Sequence, residues 1–383
     1  MPTTSHQSLI SLARIACDAA GPTERNELAV SLSNRSDLLA CAALEGMDGL
    51  LQHWLHGEGL MRRVGPDLWE RLQRGRVHRL IDYQLKHRAL EELLLMAEQE
   101  QIRLLVLQGM AIADELYPPG VRPLSDIDLL VRGEEFERMA HLLSRLGYTA
   151  VSRYPPVYAR GNVWIDLHQQ LAYLSRVEPT VNPLRVNEER LWSAAVRRPL
   201  GAAQAWTLSP ADHIVILSAH LQKHSFGRLI WFVDIGRLLN RFTERTPLEA
   251  ILERAGELAL DRPFYFVCAY LREVLKLPRL QSHPLPSPSL NWVERRLSAC
   301  LLNNRRIDGM GELLYLMAIK PPLKRWRFLR HTLVPGAEMM REQVQSSSAT
   351  QMTWGYLRRL GRFMRQAVRL TAQLGLNGLN VSR

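Results

Sequence analysis

The chain has 383 residues, 46% of them hydrophobic and 23% charged, which is the composition of a globular protein with a sizeable core and room for two or three domains. Its formal charge of +11 is unevenly placed, because residues 320–383 hold 12 Lys/Arg against two Glu while the first 319 hold 37 basic and 36 acidic groups. The scattered Cys17, Cys41, Cys268 and Cys300 argue against a zinc or disulfide scaffold and suit a reducing compartment, and no window reaches the roughly 18 apolar residues of a membrane span.

The N-terminus "MPTTSHQSLISLARIACDAAG" carries Arg14 and Asp18 within its apolar stretch, so it does not read as a secretory signal and a cytoplasmic location is expected. Residues 1–100 predict helices. In the clearest, Val77, Leu80, Ile81, Leu85, Leu90, Leu94 and Ala97 recur at three- and four-residue steps, the period of one buried helix face. "IRLLVL" (102–107) predicts a strand ending at Gly109, and "MAIADELY" a helix stopped by Pro118, Pro119 and Gly120. "RPLSDIDLLV" (122–131) contains a second strand, "IDLLV". Phe136, Met139, Ala140, Leu143 and Leu146 fall at helical spacing, with Gly147 at the position of a helix C-terminal glycine. "YTAVSRY" and "GNVWIDLHQQL" predict two more strands, separated by a turn near Pro155 and Pro156. Strand, helix, strand, helix, strand, strand describes a small mixed α/β unit.

From about residue 176 the pattern is helical again. Ser209, Pro210 and Asp212 give a capping serine, a first-turn proline and an acid three positions on, which starts the helix "ADHIVILSAHLQKH". "GRLIWFVDIGRLLNRF" and "DRPFYFVCAYLREVLKL" follow as apolar helices, and "QSHPLPSPSLN" (281–291) and "QSSSAT" (345–350) read as breaks. The expected organisation is a helical region 1–100, an α/β core 101–175, a helical domain 176–320 and a basic amphipathic tail 321–383.

The chemistry is concentrated around 126–128. Residues two apart on a strand project to one face, so Asp126 and Asp128 converge and repel. A divalent cation removes that penalty, and carboxylate oxygens are the ligands Mg²⁺ prefers, alongside substrate phosphates. Asp166 interrupts an apolar strand, with His168 two residues on. If the strands are neighbours, three carboxylates surround one spot suited to in-line phosphoryl displacement by two metals. The strand-to-helix corner at Gly109 offers backbone N–H groups and a helix N-terminus to an anion.

The span "LLVLQGMAIADELYPPGVRPLSDIDLLVRGEEFERMAHLLSRLGY", then "WIDLHQQL", resembles a bacterial family of uncharacterised nucleotidyltransferases within the DNA polymerase beta-like superfamily. The resemblance covers roughly residues 75–240 and takes in His220, Lys223, His224, Phe226, Leu229, Trp231 and Asp234. It implies an α+β fold with a palm-like mixed sheet flanked by N-terminal and C-terminal helical regions, a nucleoside triphosphate substrate, an unidentified acceptor, and Mg²⁺, with Mn²⁺ as the alternative. By that match Asp126, Asp128 and Asp166 are the catalytic metal ligands, Gly109 the phosphate turn and Arg122 a phosphate contact. Gln108, Met110, Ser125, His168, His220 and Lys223 are further candidate nucleotide contacts. The chain departs from the pattern where Gln108 replaces the family's lysine and Met110 stands where the wider superfamily favours a small hydroxyl residue.

Other readings of the same residues remain. Asp126 and Asp128 also read as a turn acid and a strand-end acid, Asp166 as an edge-strand acid, and His168 as support for a carboxylate. His213, His220 and His224 share a helical face but lack the glutamate of a zinc protease helix. A better reading is a polar face turned toward the nucleotide cleft, with Asp234 either an auxiliary contact or a buried acid satisfied by the histidines. The tail interleaves Arg with Trp, Phe and Leu at helical spacing, a pattern that suits an anionic membrane surface, nucleic acid, an acidic partner or a face packed on the body. Two rival functions are a degenerate nucleotide-binding module acting through that tail and a metal-dependent glycosyltransferase.

Overall fold

Seven strands form one mixed sheet in the middle of the chain, and helices precede and follow it. The structure, a computed structural model, describes residues 4–31, 36–153, 156–171, 188–242, 246–285, 288–319, 322–345 and 348–376. The expected boundaries at 175 and 320, and parts of the breaks at 281–291 and 345–350, lie outside the described residues.

Helices α1 (Thr4–Ala16), α2 (Pro22–Ser31), α3 (Ser36–Glu45) and α4 (Asp48–Gly57) lead to the long α5 (Pro66–Gln99). Strand β1 (Leu104–Val106), α6 (Gln108–Leu116), β2 (Ile127–Val131) and α7 (Phe136–Arg145) follow, as the sequence predicts, and Gly147 closes α7 at φ +81°. Next come β3 (Thr149–Arg153), β4 (Pro156–Arg160) and β5 (Val163–His168). An additional strand, β4, thus begins at Pro156, a proline being tolerated as a strand's first residue, while Pro155 of the expected turn lies outside the described residues.

A second difference lies beyond 176. After α8 (Glu188–Ala194), the hairpin β6 (Val196–Leu200) and β7 (Ala203–Thr207) turns at Gly201, φ +58°, and β7 pairs in parallel with β1. "VRRPL" and "AQAWT" are poor in β-branched residues, so propensity hides them, and burial alternates cleanly only in the folded hairpin. The strand order is β3-β4-β5-β2-β1-β7-β6, with β5–β2 and β1–β7 parallel and the other pairs antiparallel.

The remaining helices are α9 (Pro210–Lys223), α10 (Leu229–Arg241), α11 (Leu248–Glu257), α12 (Asp261–Glu273), α13 (Pro278–Gln281), α14 (Trp292–Leu302), α15 (Met310–Ala318), α16 (Pro322–Leu333), α17 (Ala337–Val344) and α18 (Ala349–Leu376). Ser209 caps α9 by accepting from the Asp212 N–H at 3.2 Å, and Pro210 sits in the first turn.

Alternation divides the sheet between two cores. Leu104, Val106, Ile127, Leu129, Val131, Ile165 and Leu167 pack with α5 and α7 residues such as Leu90, Leu93, Met139 and Leu142. Leu105 and Leu130, on the opposite face, join a larger cluster built by α1, α4, α9, α10 and α12, so the first and later helices share one core. With both faces covered, "IDLLV" is buried throughout, which is why it reads as a continuous apolar run.

The face expected for the long helix is only half buried. Leu90, Leu94 and Ala97 are buried, but Val77, Leu80, Ile81 and Leu85 are exposed, and Tyr83 and Lys86 are the buried positions there. Thirty-four residues make a helix of about 51 Å; Leu72 anchors its first turns in the larger core, and further along Arg79 pairs with Asp48 and donates to the Gly120 carbonyl at 3.2 Å.

Candidate active site

Parallel pairing of β2 with β5 sets Asp128 directly beside Asp166 and Leu130 beside His168. Because alternate residues share a face, Asp128, Asp166 and His168 project to the side opposite Ile127, Leu129, Ile165 and Leu167. Their ligand atoms all lie within 4.8 Å of one another, and among the described residues this is the one group of His, Cys, Asp or Glu side chains found placed to share an ion. Of the expected trio, Asp128 and Asp166 lie in this group, and His168 is its other member. Asp126 stands just before β2, outside that group, and accepts from the Ser125 hydroxyl at 2.6 Å. The His213, His220 and His224 set forms no such group.

The turn from β1 into α6 closes the site on one side. Leu107 N–H donates to the Asp128 carbonyl at 3.0 Å, and Gln108 takes a left-handed backbone, φ +48°, which costs a residue with a Cβ about 1–2 kcal/mol. Its side-chain amide donates to Asp128 Oδ1 at 2.6 Å, and His168 Nε2 lies 3.2 Å from the same oxygen. Gly109 is required for close approach: a Cβ would run into the Arg122 guanidinium and stand 3.1 Å from Leu124 Cδ2. No side chain caps α6, so its first N–H groups have no intrahelical partner and are available to an anion. The Met110 side chain is buried in the α/β core.

Arg122 is placed beneath this turn. Its Nη2 is 2.8 Å and its Nε 3.1 Å from Asp234 Oδ2, Nε is also 3.1 Å from Oδ1, and Tyr117 OH donates to Oδ1 at 2.6 Å. Both charged side chains are buried, and the guanidinium expected at a phosphate pairs with Asp234 of α10 and lies against Gly109. Asp234 is satisfied by Arg122 and Tyr117 rather than by the histidine face. Tyr117 was visible in the sequence only as a helix end.

Electrostatics single out the same spot. Burial pushes the Asp128 carboxyl above its ordinary value, the His168 hydrogen bond opposes this, and Asp126 adds to it. Burial, then repulsion by Asp128 and Asp126, pushes Asp166 up to about 6. Lys223, at the C-terminal end of α9, is close enough for its charge to draw both values down. His220 is buried, with its ring edge-on to Trp231 at 5.3 Å, and burial holds its pKa well below the ordinary value.

A family model described as uncharacterised nucleotidyltransferase matches residues 32–276. The chain belongs to this nucleotidyltransferase family. No curated protein and no solved structure matches it. The span matched by the nucleotidyltransferase model runs from α3 to just past the end of α12, takes in the whole sheet and the Asp128 group, and leaves α1, α2 and α13–α18 outside.

Another buried histidine of α9 gives a stability prediction. The Nε2 of His213 has no hydrogen-bond partner, and burial pushes its pKa down to about 3. The native state keeps it neutral while the unfolded chain takes a proton below about pH 6.5, so stability present above that pH is lost as pH falls toward 3. Between pH 7 and pH 5 this group alone is expected to remove about 2 kcal/mol. Urea unfolding of wild type and His213→Leu at both pH values checks this, since the variant should lose less stability by that amount.

Proposed function

We propose that the chain transfers a nucleoside monophosphate from a nucleoside triphosphate to an acceptor hydroxyl or phosphate, with release of pyrophosphate. The observation that carries this reading is the register that sets Asp128 beside Asp166, with His168 in the same group, next to the uncapped start of α6. Two desolvated, mutually repelling carboxylates and an imidazole fit a divalent cation. The oxygens favour Mg²⁺ and the ring nitrogen admits Mn²⁺. When bound, the cation would offset charge developing on the triphosphate oxygens.

The chain's own groups supply the rest. The first N–H groups of α6 would orient phosphate oxygens and favour negative charge in the transition state. Lys223 would provide the cationic contact that Gln108 does not, while Gln108 and His168 fix the orientation of Asp128. Asp166 is the less buried of the paired acids, and so the one an acceptor hydroxyl reaches.

The test is the purified chain with α-labelled ATP, CTP, GTP or UTP and candidate acceptors, in Mg²⁺ or Mn²⁺ and in chelator. Pyrophosphate release that requires the cation is expected. Absence of any cation-dependent binding or turnover with all four triphosphates would sink the reading. A second reading, nucleotide binding without turnover, is favoured by the neutral amide of Gln108 held on Asp128. Its signature is saturable, cation-dependent binding with no pyrophosphate.

A further inference from the structure

The described side chains of helix α18 divide into one docked face and two faces in water. Tyr356 OH donates to the Pro335 carbonyl at 3.0 Å, Arg359 Nε donates to the Thr332 carbonyl at 3.0 Å, and Gly355 lies against Met340 and Val344. These contacts fix the helix on α16 and α17. At 100° per residue, Leu360, Met364, Leu357, Val368 and Trp354 then form a single row on an outward side. All five are between 43% and 65% exposed. Immediately beside Trp354, Arg365, Arg358 and Arg362 form a second row, also exposed.

Helix α16 repeats the arrangement. Phe328 anchors it, buried 4.9 Å from the Tyr315 ring, while Leu323 and Trp326 point outward at more than 60% exposure among Lys324, Arg327 and Arg330. Neither helix contains an aspartate or glutamate.

We infer that α16 and α18 form a docking surface for an anionic lipid bilayer, with the helices lying in the plane of the interface. Charge complementarity selects an anionic partner, since the arginine rows carry no internal counter-ion within their own helices. The apolar rows select lipid over nucleic acid: phosphate contacts would satisfy the arginines yet leave Trp354, Leu357, Met364 and Val368 in water. A bilayer interface accepts both at once, burying the apolar row below the headgroups and placing tryptophan and arginine at their level. Among the described residues no helix is long and apolar enough to cross a membrane, and the amphipathic rows suit in-plane contact. The surface lies outside the family-matched span, and the inference does not depend on the transferase reading.

Co-sedimentation of the full chain with vesicles tests it. Binding is expected to phosphatidylcholine vesicles containing phosphatidylglycerol, and much weaker binding to phosphatidylcholine alone. Leu357→Glu with Met364→Glu, and separately Arg358→Glu with Arg362→Glu, should each lower the partition coefficient at least about tenfold. The substituted side chains are exposed, so melting curves should match the wild type. Hydrogen exchange on the wild-type chain gives a readout free of any folding defect, with new protection across 354–368 when anionic vesicles are added. The inference is overturned by no binding to anionic vesicles, by equal binding to both vesicle types, or by no protection at those residues. It is also overturned if only the arginine pair matters and a nucleic acid duplex binds in place of lipid.

Discussion

Replacing Asp128 by asparagine is expected to lower nucleotidyl transfer by about 10³-fold or more, the several kcal/mol a bound metal contributes to phosphoryl transfer. The fold should survive. The substituted amide would keep an oxygen for the Gln108 side chain, and the change removes a charge that is both desolvated and repelled by Asp166 and Asp126. Because burial raises the Asp128 pKa, its ionised form is disfavoured in the native state, so the melting temperature of Asp128→Asn should equal or exceed that of wild type. Turnover and thermal unfolding measured on one preparation separate the two effects. Unchanged turnover beside an unchanged fold would remove Asp128 from the chemistry and the cation site with it.

Asp234→Ala is expected to destabilise the protein by about 3–5 kcal/mol, because it leaves the Arg122 guanidinium buried without its partner. The loss should exceed that of an ordinary surface pair, since Asp234 also accepts from Tyr117 and both charges are out of water. Arg122→Met with Asp234→Leu should recover much of it: no isolated charge remains, and an apolar replacement of similar volume is often neutral. Urea midpoints of Asp234→Leu, Arg122→Met and the double variant measure the coupling. Additive losses would mean that the pair is not a unit. Because Arg122 fills the space under Gly109, the single variants should also weaken nucleotide binding while the Asp128 group stays intact.

Much of the central unit was legible because its signals are local. "IDLLV" matches β2 residue for residue, α7 falls where its apolar spacing puts it, and Ser209 with Pro210 marks the start of α9. The pair Asp128 and Asp166 could be named because each acid interrupts an apolar strand, a conflict that local packing does not explain. The hairpin of β6 and β7 was not legible, since Arg197, Arg198 and the alanines around Gln204 carry little strand propensity and are held by pairing between the two strands, with β7 joined to β1 at Trp206 and Thr207. The exposed half of α5 went the same way. Periodicity reports which residues share a face, but not which face the fold covers: between Leu72 and Ala89 the buried positions are Tyr83 and Lys86, and the apolar residues beside them face water.

Asp126 and His168 show where the limit falls within the site. Sequence spacing places Asp126 with Asp128, whereas the chain enters β2 only at Ile127, so Asp126 is not held by strand pairing. His168 gains its place from the parallel register of β2 on β5, a long-range pairing that spacing cannot encode. The fate of Arg122 was likewise settled by Asp234, 112 residues away. The amino-acid order by itself determined the alternation, the caps and the acids that break apolar strands, because those depend on neighbours along the backbone. Tertiary structure alone decided which acids meet, which cation is buried and which apolar rows face water, because desolvation and charge pairing depend on what the fold brings within a few ångströms.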